Sequence, residues 1–314
     1  MPISIPAGQS SIDQAAKLQF EQTFYHLQQE SDFRLRSTGA IRWLPAEGKY
    51  HNLARMGSVE LNEVSTRNPL KQFDDYSVDN RRFRKRRFTK TILIDELDDI
   101  NELIKDPTAD IYTNLVAAVN RVAEKIAITS AIGDVLIGQP DAAPIALSAA
   151  DDGVITIDAS GGITYGTITQ ATENFINNKM DMSQALRSVL CVSGKENTAL
   201  MNEEKFINNR YIAPSVMPVD QGIQTRVSAY PVVLFAGSVN GGIQVTNPLL
   251  PETSAGLRRC VMMAPEAIVM SMKINKLEIG DSDQHVASKA LTVDLWVNAM
   301  RTEGAKVQII NTTI

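Results

Sequence analysis

Seven cations fall within ten residues of this chain: Arg81, Arg82, Arg84, Lys85, Arg86, Arg87 and Lys90, spaced by Phe83, Phe88 and Thr89. Guanidinium groups at this density grip carboxylates or phosphates through forked, charge-assisted hydrogen bonds, and they do not exchange protons near neutral pH. Five carboxylates follow at once: Asp95, Glu96, Asp98, Asp99 and Glu102. One folded subunit has little reason to set so much opposite charge side by side. A subunit that tiles against its own copies does, because one copy's basic strand can lie on the next copy's acidic surface. The seven cations are therefore the expected intersubunit contacts, and the five carboxylates their acidic counterpart. As one extended strand, the run would put Arg82, Arg84 and Arg86 on one face and Arg81, Phe83, Lys85 and Arg87 on the other. Two other uses stay open: a solvated edge strand whose charges prevent sticking, and contact with DNA.

Charge balance weighs against the last of these. Residues 34–90 carry 14 basic and 6 acidic side chains, a local +8, within a chain of net charge −5, so the remainder stands at −13. A basic arm on an acidic body is not the footprint of a general nucleic-acid binder. Other chemistry is sparse. His26, His51 and His285 lie far apart and share no metal-ligand spacing. Gly194-Lys195 resembles the end of a phosphate-binding loop, but Val189 stands where its first glycine must be. Asp98-Asp99 reads as a solvated turn before a helix whose dipole favours acids, rather than as a catalytic carboxylate pair. Cys191 and Cys260 each sit in apolar runs and are expected as buried free thiols. No enzyme activity, cofactor or metal is expected. Met1 to Ser10 lacks the pattern of a secretion signal, and no apolar run approaches the roughly 20 residues of a membrane span, so the chain is expected to be made in the cytoplasm, away from membranes. That expectation also empties Asn311-Thr312-Thr313, a glycosylation pattern, of meaning.

The elements that must carry these residues are mixed α and β. Ile12, Ala16, Phe20, Phe24 and Leu27 recur on one helical face behind a Ser11/Gln14 capping pattern, predicting a terminal helix that packs on its own core or lies on a neighbour. From Arg34 to Ile94 the chain is polar, broken by Gly and Pro, and alternates as strands do, which predicts a long two-stranded excursion with little core of its own. Asp106-Pro107 then opens a helix with apolar residues at Ile111, Leu115, Val119, Val122 and Ile126, ended by Gly133. Beyond it, helices are predicted over Thr167–Met180 and Glu196–Phe206. Strands are predicted at Ser188–Ser193, Tyr230–Phe235, Cys260–Met263, Ala267–Met272, Leu291–Asn298 and Lys306–Ile310. This is α+β without a regular βαβ repeat.

That order, together with three stretches, resembles the major capsid proteins of tailed phages with the Hong Kong 97-type fold. Ser188 to Met201, with Phe206 to Ile212 and Tyr230-Pro-Val-Val, is similar to the family's strand, helix and following strand. Asp95 to Asp134 resembles the link from its extended E-loop to its spine helix. Val297 to Ile310 resembles its closing hairpin, in which an arginine strand turns back at glycine.

The resemblance implies a division into an N-terminal arm (1–33), an E-loop (34–94), a peripheral domain with the spine helix Thr108–Ile132 (95–166), a mainly axial domain (167–265) and peripheral return strands (266–314). It implies a homo-oligomer of pentamers and hexamers, forming the icosahedral shell that encloses double-stranded DNA in the virion. DNA contact would be non-specific, and portal and decoration proteins are further partners. Where scaffolding is used, a separate scaffolding protein is implied, since no long N-terminal scaffolding segment fits in the chain. Lys71 and Asn298 match by region only the partners of the founding member's covalent cross-link. Two alternatives remain: an encapsulin-type compartment shell with the same fold, and an α+β enzyme.

Overall fold

The computed structural model describes residues 32–57, 78–95, 108–137, 144–145, 152–180, 188–203, 219–220, 223–224, 226–227, 230–235, 257–281 and 288–313, with single positions at 59, 61, 63, 65, 67 and 75. The predicted N-terminal helix lies outside these residues. One long helix, α1 (Thr108–Ile132), organises the rest. At 1.5 Å per residue its 25 residues span about 37 Å. Leu115, Val119 and Ile126 of the predicted stripe are buried, and Ile111 and Val122 pack beside them. The Gly133 N–H closes the last turn on the Thr129 carbonyl at 2.7 Å.

The inner face of α1 packs on a four-stranded sheet, ordered β1 (Ile41–Trp43), β14 (Ile268–Asp281), β15 (Ser288–Arg301), β4 (Arg86–Asp95). On β15, Leu291, Val293, Leu295, Val297 and Ala299 alternate into this core, with Phe88 and Ile92 of β4 beside them. The same core continues onto one face of a six-stranded sheet, whose centre is β12 (Tyr230–Phe235), β8 (Val189–Ser193), β13 (Leu257–Met263) and β16 (Val307–Thr313). Short β11 (Arg226–Val227) and β7 (Ile155–Ala159) form its edges. The other face of this sheet packs on α2 (Tyr165–Asn177) and α3 (Gly194–Met201). Burial on both faces explains the unbroken apolar runs Val189–Val192 of β8 and Cys260–Met263 of β13, which do not alternate with polar residues. It also separates the thiols. Cys191 faces the α1 core and Cys260 the α2 core, so the sheet stands between them and both are free and buried.

A third sheet, β2 (Tyr50–Met56), β3 (Val78–Arg84), β5 (Val135–Ile137) and β6 (Pro144–Ile145), joins the polar excursion to the strand that leaves α1. A two-stranded ribbon pairs β9 (Val219–Asp220) with β10 (Ile223–Gln224).

Three sequence expectations are corrected. The Val297–Ile310 segment is not a hairpin: β15 pairs with β14 and β4, and after Gly304 the chain crosses to pair as β16 with β13 in the other sheet. The hairpin of this region is β14–β15: β15 exceeds the predicted Leu291–Asn298 at both ends, and β14 runs on past the predicted Met272 to Asp281. And α2 stops at Asn177, because Lys179 enters the left-handed region (φ 57°) while the Met180 N–H reaches the Phe175 carbonyl and the Lys179 N–H reaches Ile176. This is a Schellman ending made without glycine, which is why the sequence did not announce it.

The crossing at Gly304 is sterically exacting. A Cβ at residue 304 would sit 1.9 Å from the Asp152 carbonyl oxygen. We predict that Gly304→Ala, which forces these two segments apart, lowers stability by about 1–3 kcal/mol or more, as overpacking does. A thermal melt of the purified subunit reads this directly; an unchanged midpoint would refute the close approach.

Candidate functional site

The basic run does not form one strand. It breaks at Lys85, with Arg81 to Arg84 in β3 of the third sheet and Arg86 to Lys90 in β4 beside β15. The cause is the side chain of Lys85, which turns inward. Its Nζ donates to the Ala46 carbonyl, and its N–H donates to Lys49 at 3.1 Å. Burial and the nearby Lys273 push the Lys85 pKa down, opposed by Glu47. The two-faced alternation expected of a continuous strand is therefore lost at this kink.

The seven cations separate by environment. Arg81, Arg82 and Lys85 are buried, whereas Arg84, Arg86, Arg87 and Lys90 are exposed. For Arg81 and Lys85 the expected role as outward contacts is corrected, since each binds its own subunit. Both guanidinium arms of Arg81 meet the Asp152 carboxylate, and Nη1 also donates to the Arg301 carbonyl at 3.2 Å. Arg301, fully buried, donates from Nε to Asp152 Oδ2 at 2.7 Å. Its Nη1 donates to the Ala131 and Gly133 carbonyls at 2.7 and 2.9 Å. Those carbonyls end α1, where the helix dipole is negative and a cation is favoured. One carboxylate thus ties the base of the polar excursion to the C-terminus of the long helix and to β15. Burial alone would raise the Asp152 pKa, but hydrogen bonds from Arg81 and Arg301 outweigh it and hold the carboxyl below its ordinary value. Burial lowers the Arg301 pKa, partly offset by Asp152.

Sequence reasoning gave no ion-pair role to Asp152, or to Arg301 of the Val297–Ile310 stretch, because the pairings span 71 and 149 residues. Two smaller networks were missed for the same reason. Arg34 binds the buried Glu124 of α1 through its N–H at 3.1 Å and through Nη2 at 3.0 Å. Glu196 of α3 accepts from the Ser193 N–H at 3.1 Å as the reciprocal half of a capping box, takes Thr312 Oγ1 at 3.0 Å, and pairs with Arg258.

The exposed cations lie along β4 and its turn. Arg87 donates to Asp294 at 2.9 Å and stacks over Trp296. That bond raises the Arg87 pKa and lowers that of Asp294. Arg86 donates to Asn298 Oδ1 at 3.4 Å, and Asn298 Nδ2 donates to the Arg84 backbone carbonyl at 2.6 Å, so this side-chain amide pins the kink. Lys71, its suggested cross-link partner, lies outside the described residues. So do Glu96, Asp98, Asp99, Glu102, His26 and His285; Asp95 ends β4 with its backbone opposite Ser288. Among the described residues no group of three His, Cys, Asp or Glu is placed to hold a metal ion, and no helix is long and apolar enough to cross a membrane.

The sheets, long helix and polar excursion define a class of shell-building proteins, and comparison with known proteins identifies it. The phage capsid protein family model matches residues 12–313. The chain belongs to that family. It is a major capsid protein, a structural subunit that assembles with identical copies into the shell of a bacteriophage virion. Similar solved structures agree in fold at low identity. The bacteriophage PhiM1 mature capsid is 15% identical over 99% of this chain and 97% of its own, with a TM-score of 0.68. The head of Helicobacter pylori bacteriophage KHP40 is 10% identical over 99% of both chains, at 0.70. The capsid of Ralstonia phage GP4 is 10% identical over 100% and 98%, at 0.63. No curated protein sequence matches it.

Removing the shared carboxylate isolates two buried guanidinium groups. Asp152→Asn is expected to cost about 3–5 kcal/mol, the range for breaking a buried pair from one side. The pH dependence has a definite sign. With its folded pKa below the ordinary 3.8, Asp152 contributes stability that is present above that value and lost as pH falls through the folded pKa. Denaturant melts from pH 6 downward should show a loss below about pH 4 in the parent that is smaller in Asp152→Asn. Parallel curves would refute the assignment.

Proposed function

We propose that this subunit builds its shell in the Hong Kong 97-type manner. Residues 34–94 contain the E-loop laid on a neighbouring copy, and α1 is the spine helix of a peripheral domain spanning 95–166 and 266–314. Residues 167–265 form mainly the axial domain, and residues 1–33 the N-terminal arm. Pentamers and hexamers close around double-stranded DNA, which is touched non-specifically. Scaffolding, portal and decoration proteins complete the particle, and synthesis and assembly take place in the host cytoplasm. The subunit carries no enzymatic step of its own.

The observation that carries this reading is the pairing of whole-length family membership with a row of exposed cations on the polar excursion and its return strand. Arg84, Arg86 and Lys90 point to solvent, and no ion pair holds them among the described residues. An acidic neighbour surface is the natural partner in a chain whose remaining residues total −13. Exposed apolar side chains at Met56, Val59 and Leu61 on the same excursion fit a covered position in the particle. Phage capsid membership favours the viral shell over a compartment shell or an enzyme.

Replacing Arg84, Arg86 and Lys90 together by glutamate spares the buried Arg81 and Lys85. The variant is expected to give a folded subunit with an unchanged circular dichroism spectrum and no closed particles by negative-stain electron microscopy. Normal particles would overturn the assigned role of these cations.

A further inference from the structure

Arg82 is the one buried cation of the basic run that neither Asp152 nor a backbone carbonyl takes up. It is 7% exposed, its Nε is buried with no hydrogen-bond partner, and its guanidinium makes no ion pair among the described residues. A buried guanidinium N–H left without an acceptor costs about 1–3 kcal/mol, so a partner is expected in the working state. Arg82 lines a groove of about 610 Å³ between the kinked basic turn, the C-terminal end of α1 and β15. The groove walls include Phe83, Leu136, Trp296 and Met300, and Leu136 is 40% exposed. The cations Arg84, Arg86 and Arg87 form its rim.

Those walls select the occupant. A duplex backbone offers phosphates at regular spacing and no apolar groups, so it would leave the apolar wall of the groove uncovered. A peptide that alternates carboxylates with aliphatic side chains satisfies both the arginines and the walls. Residues 94–102 of this chain read Ile-Asp-Glu-Leu-Asp-Asp-Ile-Asn-Glu.

We infer that the Arg82 groove receives this acidic segment from a neighbouring copy, as a specific intersubunit lock. Reach decides that it comes from a neighbour. Arg86 sits at the groove and Asp95 at the far end of β4, nine residues or about 30 Å away at 3.3 Å per residue. Helix α1 runs its 25 residues to bring its C-terminal end to the groove, so Thr108, where the segment must return, is also remote. The twelve residues between Asp95 and Thr108 extend at most about 45 Å, short of the roughly 65 Å needed to run from Asp95 into the groove and back to Thr108. The subunit's own carboxylates therefore cannot enter its own groove. The lock rests on the self-assembling shell reading, but particle formation and lock geometry can be scored separately.

The test is a pair of cysteines, Leu136→Cys in the groove wall and Leu97→Cys in the segment, in assembled particles. The native thiols Cys191 and Cys260 are fully buried, so they stay silent. After mild oxidation a non-reducing gel should show a ladder of linked subunits that neither single cysteine gives. Adding Arg82→Gln should slow linkage about tenfold or more while the subunit still melts cooperatively, since a desolvated charge partner has been removed. Particles that form normally but yield no ladder, or only an internally bridged monomer, overturn the lock while leaving the shell reading intact. So does a linkage rate indifferent to Arg82→Gln. Retention of DNA that depends on Arg82, with no ladder, assigns the groove to phosphate and likewise overturns it. Failure of the doubly substituted chain to assemble is resolved by mixing the two single-cysteine subunits, where absence of a linked dimer counts against the lock.

Discussion

The Asp152 carboxylate holds together parts of the subunit that would otherwise have no reason to share an orientation. Arg81 comes from the polar excursion, Arg301 from the central strand of the α1-facing sheet, and the carbonyls bound by Arg301 from the end of the long helix. Buried ion pairs add little net stability compared with an apolar replacement, because desolvation consumes most of the Coulombic gain. Their effect is geometric. Two guanidinium forks on one carboxylate, with a helix terminus behind, admit one arrangement, and Gly304 lets the Asp152 segment approach closely enough to make it. For a protein that must present the same contact surface in every copy, fixed geometry at the root of an extended segment matters more than a few kcal/mol.

That root also explains how one basic run serves two purposes. Cations that turn inward anchor the excursion: Arg81 on Asp152, Lys85 on the Ala46 carbonyl. Cations that turn outward stay in solvent, with Arg87 held by Asp294 and Arg86 by Asn298. The kink at Lys85 is what sorts them, and Asn298 pins it from the neighbouring strand. The sheet below is rigid because α1 packs across it and because its β14–β15 hairpin runs 14 residues on each side.

Much of the architecture was legible from residue pattern. The 3.6-residue stripe from Ile111 to Ile126, bounded by proline and glycine, marked the long helix, because local periodicity and end signals both act within a few residues. The β8 and β12 strands, at Val189–Ser193 and Tyr230–Phe235, were legible as short apolar runs. The free thiols were legible as core residues, although that they face opposite sides of one sheet was not. What failed were statements about pairing. Val297 to Ile310 reads as strand, glycine, strand, and nothing local says whether the second strand folds back on the first or crosses to another sheet. Glu196 was visible only as a helix residue, and its link to Thr312 spans 116 positions.

The sequence by itself determined the elements and the acidic body with its basic arm, since charge and periodicity are properties of short segments. Only the tertiary structure decided which cations are buried anchors and which stay in solvent. Burial and partnership depend on residues far apart in the chain, and a guanidinium carries the same charge in either place until the fold removes water from one and leaves it on the other.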